Sequence, residues 1–444
     1  LFYSAITVGE NLFYYIMQAH NKLTALALTM LSFFPVAVTA QSAGSTATYT
    51  NPVLNRNFPD PSVIYGRDHY FYAYATDGNG QRTPIVKSRN LVKWRPAGVG
   101  FTEATRPKFV NNGATWAPEV SYINGQYVMY YSLSTWGGEW ECGIGVATSS
   151  TPNDAFTDRG KLFISSEIGV QNSIDPCHFT DVDGKQYLFW GSFRGIYGIE
   201  LTDDGLQIKA GAEKFQIAPR NTIEGTMIYL RNGYYYLLGS AGSCCAKEKS
   251  TYHVVVARSR NIHGPYVNKA GRNIMSYPFD IMLQKSSKVY GPGHNSQIIT
   301  DDNGKYWMLY HGYNSNDVDG GRVLFLDQVR WDSEGWPYIE GGKPSESALA
   351  PVFTTYEATG VQNVNADAAD ELTITLGGHN YFQISAPDGQ KFTWIVTDLS
   401  GRTVEQGTAT NVKDLWINDL SNGIYVVSAM KGGRKVSRKV VKCD

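Results

Sequence analysis

With 444 residues the chain is long enough for two or three domains. Its 39 basic and 40 acidic residues leave a formal charge of -1, which argues against a nucleic-acid groove or a polybasic membrane surface. Aromatic residues make up 13% of the chain, with 29 Tyr and 10 Trp, and suit either an all-β core or flat platforms for sugar rings.

Residues 1–16 fit no signal design and read as sequence upstream of a start at Met17. Leu23 to Ala40 is an apolar run preceded by Lys22 and ending Val38-Thr39-Ala40. Charged, apolar and small-residue parts in that order make a secretory signal cleaved after Ala40; a membrane anchor is the alternative. Residues 41–48 are then a linker.

Beyond residue 50 the chain has no sustained amphipathic helical pattern. It shows short apolar and aromatic runs broken by Gly, Asn and Asp, which is the all-β pattern. Five segments share one plan: a polar residue, a short strand, a turn with Gly, and a Tyr-rich strand. They begin at Asp60, Glu119, Asp175, Glu224 and Asn295. Their turns fall at Gly66, Asn124-Gly125, Asp183-Gly184, Asn232-Gly233 and Asn303-Gly304. Repeats about 50–70 residues apart are long enough for four-stranded blades, so a five-bladed β-propeller is expected over 49–355. Trp331 to Pro337 reads as a strand and turn near its closure. After Pro351 the texture changes, and short strands within 361–444 suggest a small C-terminal β-sandwich with a basic tail from Lys431 to Lys442.

In a propeller the innermost strands converge on one axis, so equivalent blade-start positions meet however distant they are in sequence. Carboxylates gathered there raise one another's pKa and separate acid from base roles. Two carboxylates facing each other across a sugar are what glycoside hydrolysis requires. Each acid alone reads first as a turn or cap residue; recurrence in phase favours chemistry. The five cysteines follow no metal or disulfide pattern, and the neighbours Cys244 and Cys245 read as two buried thiols, with a vicinal bridge as the alternative.

The ordered segments Asn57-Phe-Pro-Asp60-Pro-Ser-Val, Trp116-Ala-Pro-Glu119-Val, Ser173-Ile-Asp175-Pro, Ile223-Glu224-Gly and Gly291-Pro-Gly-His294-Asn resemble family 43 glycoside hydrolases over residues 50–340. Gly239-Ser-Ala-Gly-Ser-Cys244-Cys245, Ser250-Thr-Tyr252 and Trp190-Gly-Ser192-Phe193 are similar to the arabinanases of that family. The resemblance implies that Asp60 activates water, Glu224 protonates the leaving oxygen and Asp175 orients Glu224 and holds its pKa up. It implies no catalytic role for Glu119, which is read as structural. It also implies a cation, commonly calcium, in the axial channel at His294, and no organic cofactor. Trp116, Trp190, Ser192, Phe193 and Arg322 are the expected substrate contacts, with core packing as the alternative for Trp190 and pairing with an acid for Arg322. After Gly271 the sequence departs from the arabinanase pattern, where Asn273-Ile-Met and Ile281-Met-Leu-Gln replace a Gly-rich stretch.

The segments Val396 to Val404, Leu420-Ser-Asn-Gly-Ile-Tyr425 and Ser437 to Lys442 resemble the sorting domain of the type IX secretion system. Export to the medium or cell surface follows, with secretion machinery as a partner and a plant cell-wall polysaccharide, an arabinan or its oligosaccharides, as substrate. Other glycosides acted on by the same mechanism, and a non-catalytic sugar-binding propeller, are the competing readings; an intact acid–base set argues against the last.

Overall fold

Strands in this chain are short because Gly, Asn and Asp interrupt each aromatic run, and the interruptions become hairpins. At Asn124-Gly125 both residues take positive φ (48° and 88°), and Asn232-Gly233 does the same (51° and 69°). Left-handed pairs of this kind match the twist of the flanking antiparallel strands. The computed structural model describes residues 47–353 and, with short omissions, 372–442. The expected signal segment at 1–40, nearly all of the 41–48 linker and Cys443 lie outside the described residues.

Among the described residues, five antiparallel sheets follow one another in chain order. Blade one holds Ser62–Tyr65, Phe71–Tyr74, Arg82–Ser88 and Arg95–Phe101. Blade two holds Ala114–Ile123, Gln126–Ser134, Gly143–Ser149 and Thr157–Ile164. Blade three holds Cys177–Thr180, Gln186–Trp190, Arg194–Leu201 and Phe215–Arg220. Blade four holds Glu224–Arg231, Tyr234–Ala241, His253–Ser259 and Asp280–Leu283. In blade five, Val289–Gly293 and Ile298–Thr300 both pair with Tyr306–Asn314, which is followed by Arg322–Trp331 and Pro337–Ile339.

The period-2 geometry of a strand explains why second strands are apolar on both faces. In Gln126–Ser134, Tyr127, Met129 and Tyr131 pack with Tyr72, Tyr74 and Ile85 of blade one. The alternate residues Val128 and Tyr130 pack with Leu188, Trp190 and Ile199 of blade three. Blades three and four share Phe189, Ile196, Ile228 and Val255, and blades four and five share Leu238, Val256, Met308 and Phe325. Trp307, Leu309 and Leu324 of blade five then pack on Phe71, Ala73 and Val86 of blade one, closing the ring. Thr48–Thr50 pairs with Ser347–Leu349, tying the two ends of the propeller together.

Residues 372–442 form two sheets around Ile384, Phe392, Trp394, Val396 and Val427. One contains Thr373–Gly378, Tyr381–Ser385 and Val412–Trp416; the other contains Thr403–Thr410, Lys391–Asp398, Gly423–Lys431 and Arg434–Lys442. The basic tail is thus an edge strand, where lysines discourage edge-to-edge pairing.

The cysteine expectation needs correction. Cys244 and Cys245 are joined in a vicinal disulfide, and Cys245 is exposed, because the pair lies in the loop between Tyr234–Ala241 and His253–Ser259 and not in a core. The buried free thiols are Cys142 and Cys177.

Candidate active site

At the head of each blade one residue adopts a left-handed conformation: Asp60 (φ 56°), Ala117 (41°), Asp175 (58°), Gly225 (58°) and His294 (47°). Pro61, Pro118 and Pro176 follow three of them, and a residue before proline is already restricted. Strain on the order of 1–3 kcal/mol per non-Gly residue therefore collects around the axis, as it does at functional sites. The kinks break the ladder between Trp116 and Glu119 and between Glu224 and Met227, and so re-aim the side chains beside them.

This recurrence corrects the phase read from sequence. Asp60 and Asp175 are equivalent, but the matching residue of blade two is Ala117, two residues before Glu119. Glu224 stands one residue before its blade's kink and Asn295 one after. Glu119 accordingly lies further along its strand, buried, where its carboxylate accepts from the Gln297 amide. Burial pushes that carboxyl up to about 8.

Asp60 is wrapped in donors. Its Oδ1 accepts from Arg322 Nη1 at 2.8 Å and its Oδ2 from Thr76 Oγ1 at 2.6 Å. His294 Nδ1 lies 3.3 Å from Oδ1. The Asp60 backbone N–H donates to His311 Nδ1 at 3.0 Å, which puts the proton of the neutral imidazole on Nε2. Burial lowers His311 to about 4, so it is neutral at working pH. Burial alone would raise Asp60, but the Arg322 guanidinium outweighs it and holds the carboxyl well below the usual range.

Glu224 has a different shell. Its Oε2 accepts from Ser192 Oγ at 2.6 Å. Burial raises its pKa, the Asp60 charge adds to the rise, and the Ser192 hydrogen bond opposes it. Asp175 Oδ2 accepts from the N–H of Gly225, next to Glu224, at 3.0 Å. Burial, then the Glu224 and Asp60 charges, push Asp175 well above the carboxylate range. Two buried carboxyls so coupled do not both ionise, and they titrate as a pair. One funnel thus presents a carboxylate held ionised and a carboxyl pair that keeps a proton, which is an acid and a base at the same pH.

Residues 49–337 match the pattern of glycosyl hydrolases family 43. The chain belongs to that family. It is a glycoside hydrolase. Among its curated relatives, an extracellular exo-α-(1→5)-L-arabinofuranosidase of Cellvibrio japonicus is 32% identical over 63% of this chain and 86% of that protein. An extracellular endo-α-(1→5)-L-arabinanase of Bacillus subtilis is 32% identical over 64% of this chain and 88% of that protein. The solved α-L-arabinanase of Cellvibrio cellulosa in complex with arabinohexaose superposes with a TM-score of 0.58 at 30% identity, covering 64% of this chain and 95% of that one. Separately, residues 368–443 match a secretion system C-terminal sorting domain.

On this family 43 scaffold the expected substrate contacts divide. Trp190 is fully buried between blades two and three, with its indole N–H on Ser173 Oγ at 3.1 Å, and it cannot reach a sugar. Arg322 is committed to Asp60. Ser192 is buried against Glu224 and meets the acid itself. Phe193 (φ 51°) and Trp116 are half-buried.

Trp136, which the sequence reading missed, is 83% exposed and packs 5.6 Å from Trp116. Its loop is pinned to blade three by Arg194, which meets Glu139 through two hydrogen bonds of 2.9 Å. Thr76, His311 and Tyr252 were missed as well. The Tyr252 ring stacks on His311, 5.6 Å away and nearly parallel at 9°.

Beneath Asp60 lies a polar cavity of about 20 Å³, lined by His294, Glu119, Asn295, Ser62 and Thr226 among others. Ser62 Oγ, Thr226 Oγ1 and Asn295 Oδ1 are buried without hydrogen-bond partners. Room for one water-sized occupant among orphaned oxygens suits a single water or a lone hard cation held by those oxygens. No cluster of three or more His, Cys, Asp or Glu that would hold a metal directly exists among the described residues.

Proposed function

We propose that the chain hydrolyses α-1,5-linked arabinan in a single displacement that inverts the anomeric carbon. The observation that carries this reading is the contrast in surroundings, the Arg322 guanidinium on Asp60 against a hydroxyl and no cation on Glu224, which lowers the first carboxyl and leaves the second raised. Asp60 takes a proton from water as its oxygen attacks the anomeric carbon. Glu224 gives its proton to the glycosidic oxygen as that bond breaks, and Asp175 is the positioning residue beside it. Ser192 on Oε2 leaves Oε1 to carry the proton. Trp116 and Trp136 offer ring faces for the sugar at the rim. Arabinan as the substrate is supported by the names of the relatives at about one-third identity.

A reducing-sugar assay across linear arabinan, debranched arabinan, xylan and galactan tests the substrate. Turnover should be highest on the two arabinans, and faster cleavage of xylan or galactan would overturn the choice.

In the axial cavity, His294, Asn295, Ser62 and Thr226 would face a calcium ion. When bound, it would supply fixed positive charge near Asp60, favouring its ionised form. The C-terminal sandwich would deliver the enzyme to secretion machinery and so to the cell surface or medium. Removing residues 361–444 should abolish delivery while leaving hydrolysis of soluble oligosaccharides unchanged.

A further inference from the structure

A second cleft lies at the other end of the blades that carry the acid. Glu224–Arg231 starts at the active site and, at about 3.3 Å per residue, carries Arg231 roughly 20 Å away. There, between blades four and five, a cavity of about 410 Å³ is lined by Arg231, Arg258, Arg260, Tyr234 and Trp331. That volume lies in the range of small-molecule sites.

Three guanidinium groups face this space, and no ion pair joins any of them to a carboxylate among the described residues. Aromatic faces hold them in place. Arg231 lies 4.4 Å from the Trp331 ring centroid, Arg258 4.2 Å from both Tyr234 and Trp336, and Arg260 3.7 Å from Tyr234. Arg258 Nη1 donates to the Glu334 carbonyl at 2.7 Å. Arg231 is only 9% exposed, and its Nε has no hydrogen-bond partner; nor has the buried Trp331 indole N–H. Asp332 and Glu334 also line the cleft. Asp332 already accepts from the backbone N–H groups of Glu334 and Trp336 and from Lys269 Nζ at 3.3 Å.

Arg231, Arg258 and Arg260 line the cleft without a carboxylate partner, which favours an anion there, and a planar fork matches a carboxylate in two parallel hydrogen bonds. The cleft is larger than a bare oxyanion needs, and the protein works on polysaccharides. We propose that this cleft binds a carboxylated sugar, a hexuronate unit, and so anchors the enzyme on an acidic polymer away from its active site. The proposal does not depend on arabinan being the substrate.

The experiment is calorimetric titration of the full chain with trigalacturonate, with neutral arabinotriose and sodium sulfate as comparisons, for wild type and Arg260→Met. Arg260 is exposed, so its loss leaves the core intact; Arg258→Met, with the thermal transition recorded, is the second variant. Trigalacturonate should bind at least tenfold more tightly than either comparison. Binding should weaken with salt and fall at least tenfold in each variant, while turnover of a neutral soluble substrate stays constant. The idea is overturned if trigalacturonate fails to bind, if sulfate binds as well, or if affinity is unchanged in both variants.

Discussion

On the two flanks of the funnel Asp60 is buried and Glu224 half-buried, yet they treat a carboxyl group in opposite ways. On the Asp60 side, Arg322, Thr76 and His294 surround the oxygens and the charge is stabilised. On the Glu224 side one hydroxyl and a second carboxyl share the space, and the pKa is raised. The difference teaches that burial alone assigns no role; the sign of the nearest charge does.

The sharpest way to break the comparison is to remove each group. Asp60→Asn and Glu224→Gln should each lower kcat by about two to four orders of magnitude with the far-ultraviolet circular dichroism unchanged. An aryl glycoside whose leaving group needs no proton should partly rescue Glu224→Gln and leave Asp60→Asn inactive. Rescue of both, or of neither, would mean that the two flanks do not differ as described.

Moving the charges is gentler. On the proposed mechanism activity needs Asp60 ionised, so it should be lost as pH falls through a depressed pKa; it needs Glu224 protonated, so it should be lost as pH rises through a raised one. Arg322→Met should therefore shift the acidic limb of kcat/KM up by about one to three units. Ser192→Ala removes a hydrogen bond that favours the ionised Glu224, so the alkaline limb should move up by about one unit or less. Limbs that stay put in both variants would detach the profile from these residues.

Much of this was legible in the sequence, and the failures have physical causes. The repeated strand-turn-strand plan carried the propeller because Asn-Gly and Asp-Gly close hairpins locally. That Asp60, Asp175 and Glu224 meet was legible because convergence on an axis follows from the fold; their separate roles were read from the family resemblance alone. Glu119 was put in phase with them because its acid lies two residues from the true equivalent, Ala117, and only the left-handed backbone distinguishes the two. Trp190 looked like a platform because it adjoins Ser192, but the pleat points it into the core between blades. His311 acts on a residue 251 positions away, and no local pattern announces such a contact. Trp136 carried a signal, an aromatic in the Gly-flanked segment Thr135-Trp136-Gly137-Gly138, which went unread.

A smaller effect concerns the cavity beneath Asp60. If a cation binds there, chelation should lower the melting temperature, since at a hundredfold excess over Kd a bound ligand stabilises by about 2.7 kcal/mol. Added calcium should restore it. No change on chelation, with no metal in the purified protein, would leave the cavity to water.

The stereochemistry of the first product bears most directly on the division of labour between the flanks. One displacement needs room for a water, so the two carboxyl groups should stand roughly 6.5–9.5 Å apart, not the 5–5.5 Å of a retaining pair. Proton NMR of the sugar released from an arabino-oligosaccharide, recorded before mutarotation, should show inverted anomeric configuration. Retained configuration, or a glycosyl group trapped on Asp60, would make that aspartate a nucleophile and contradict its role as a base.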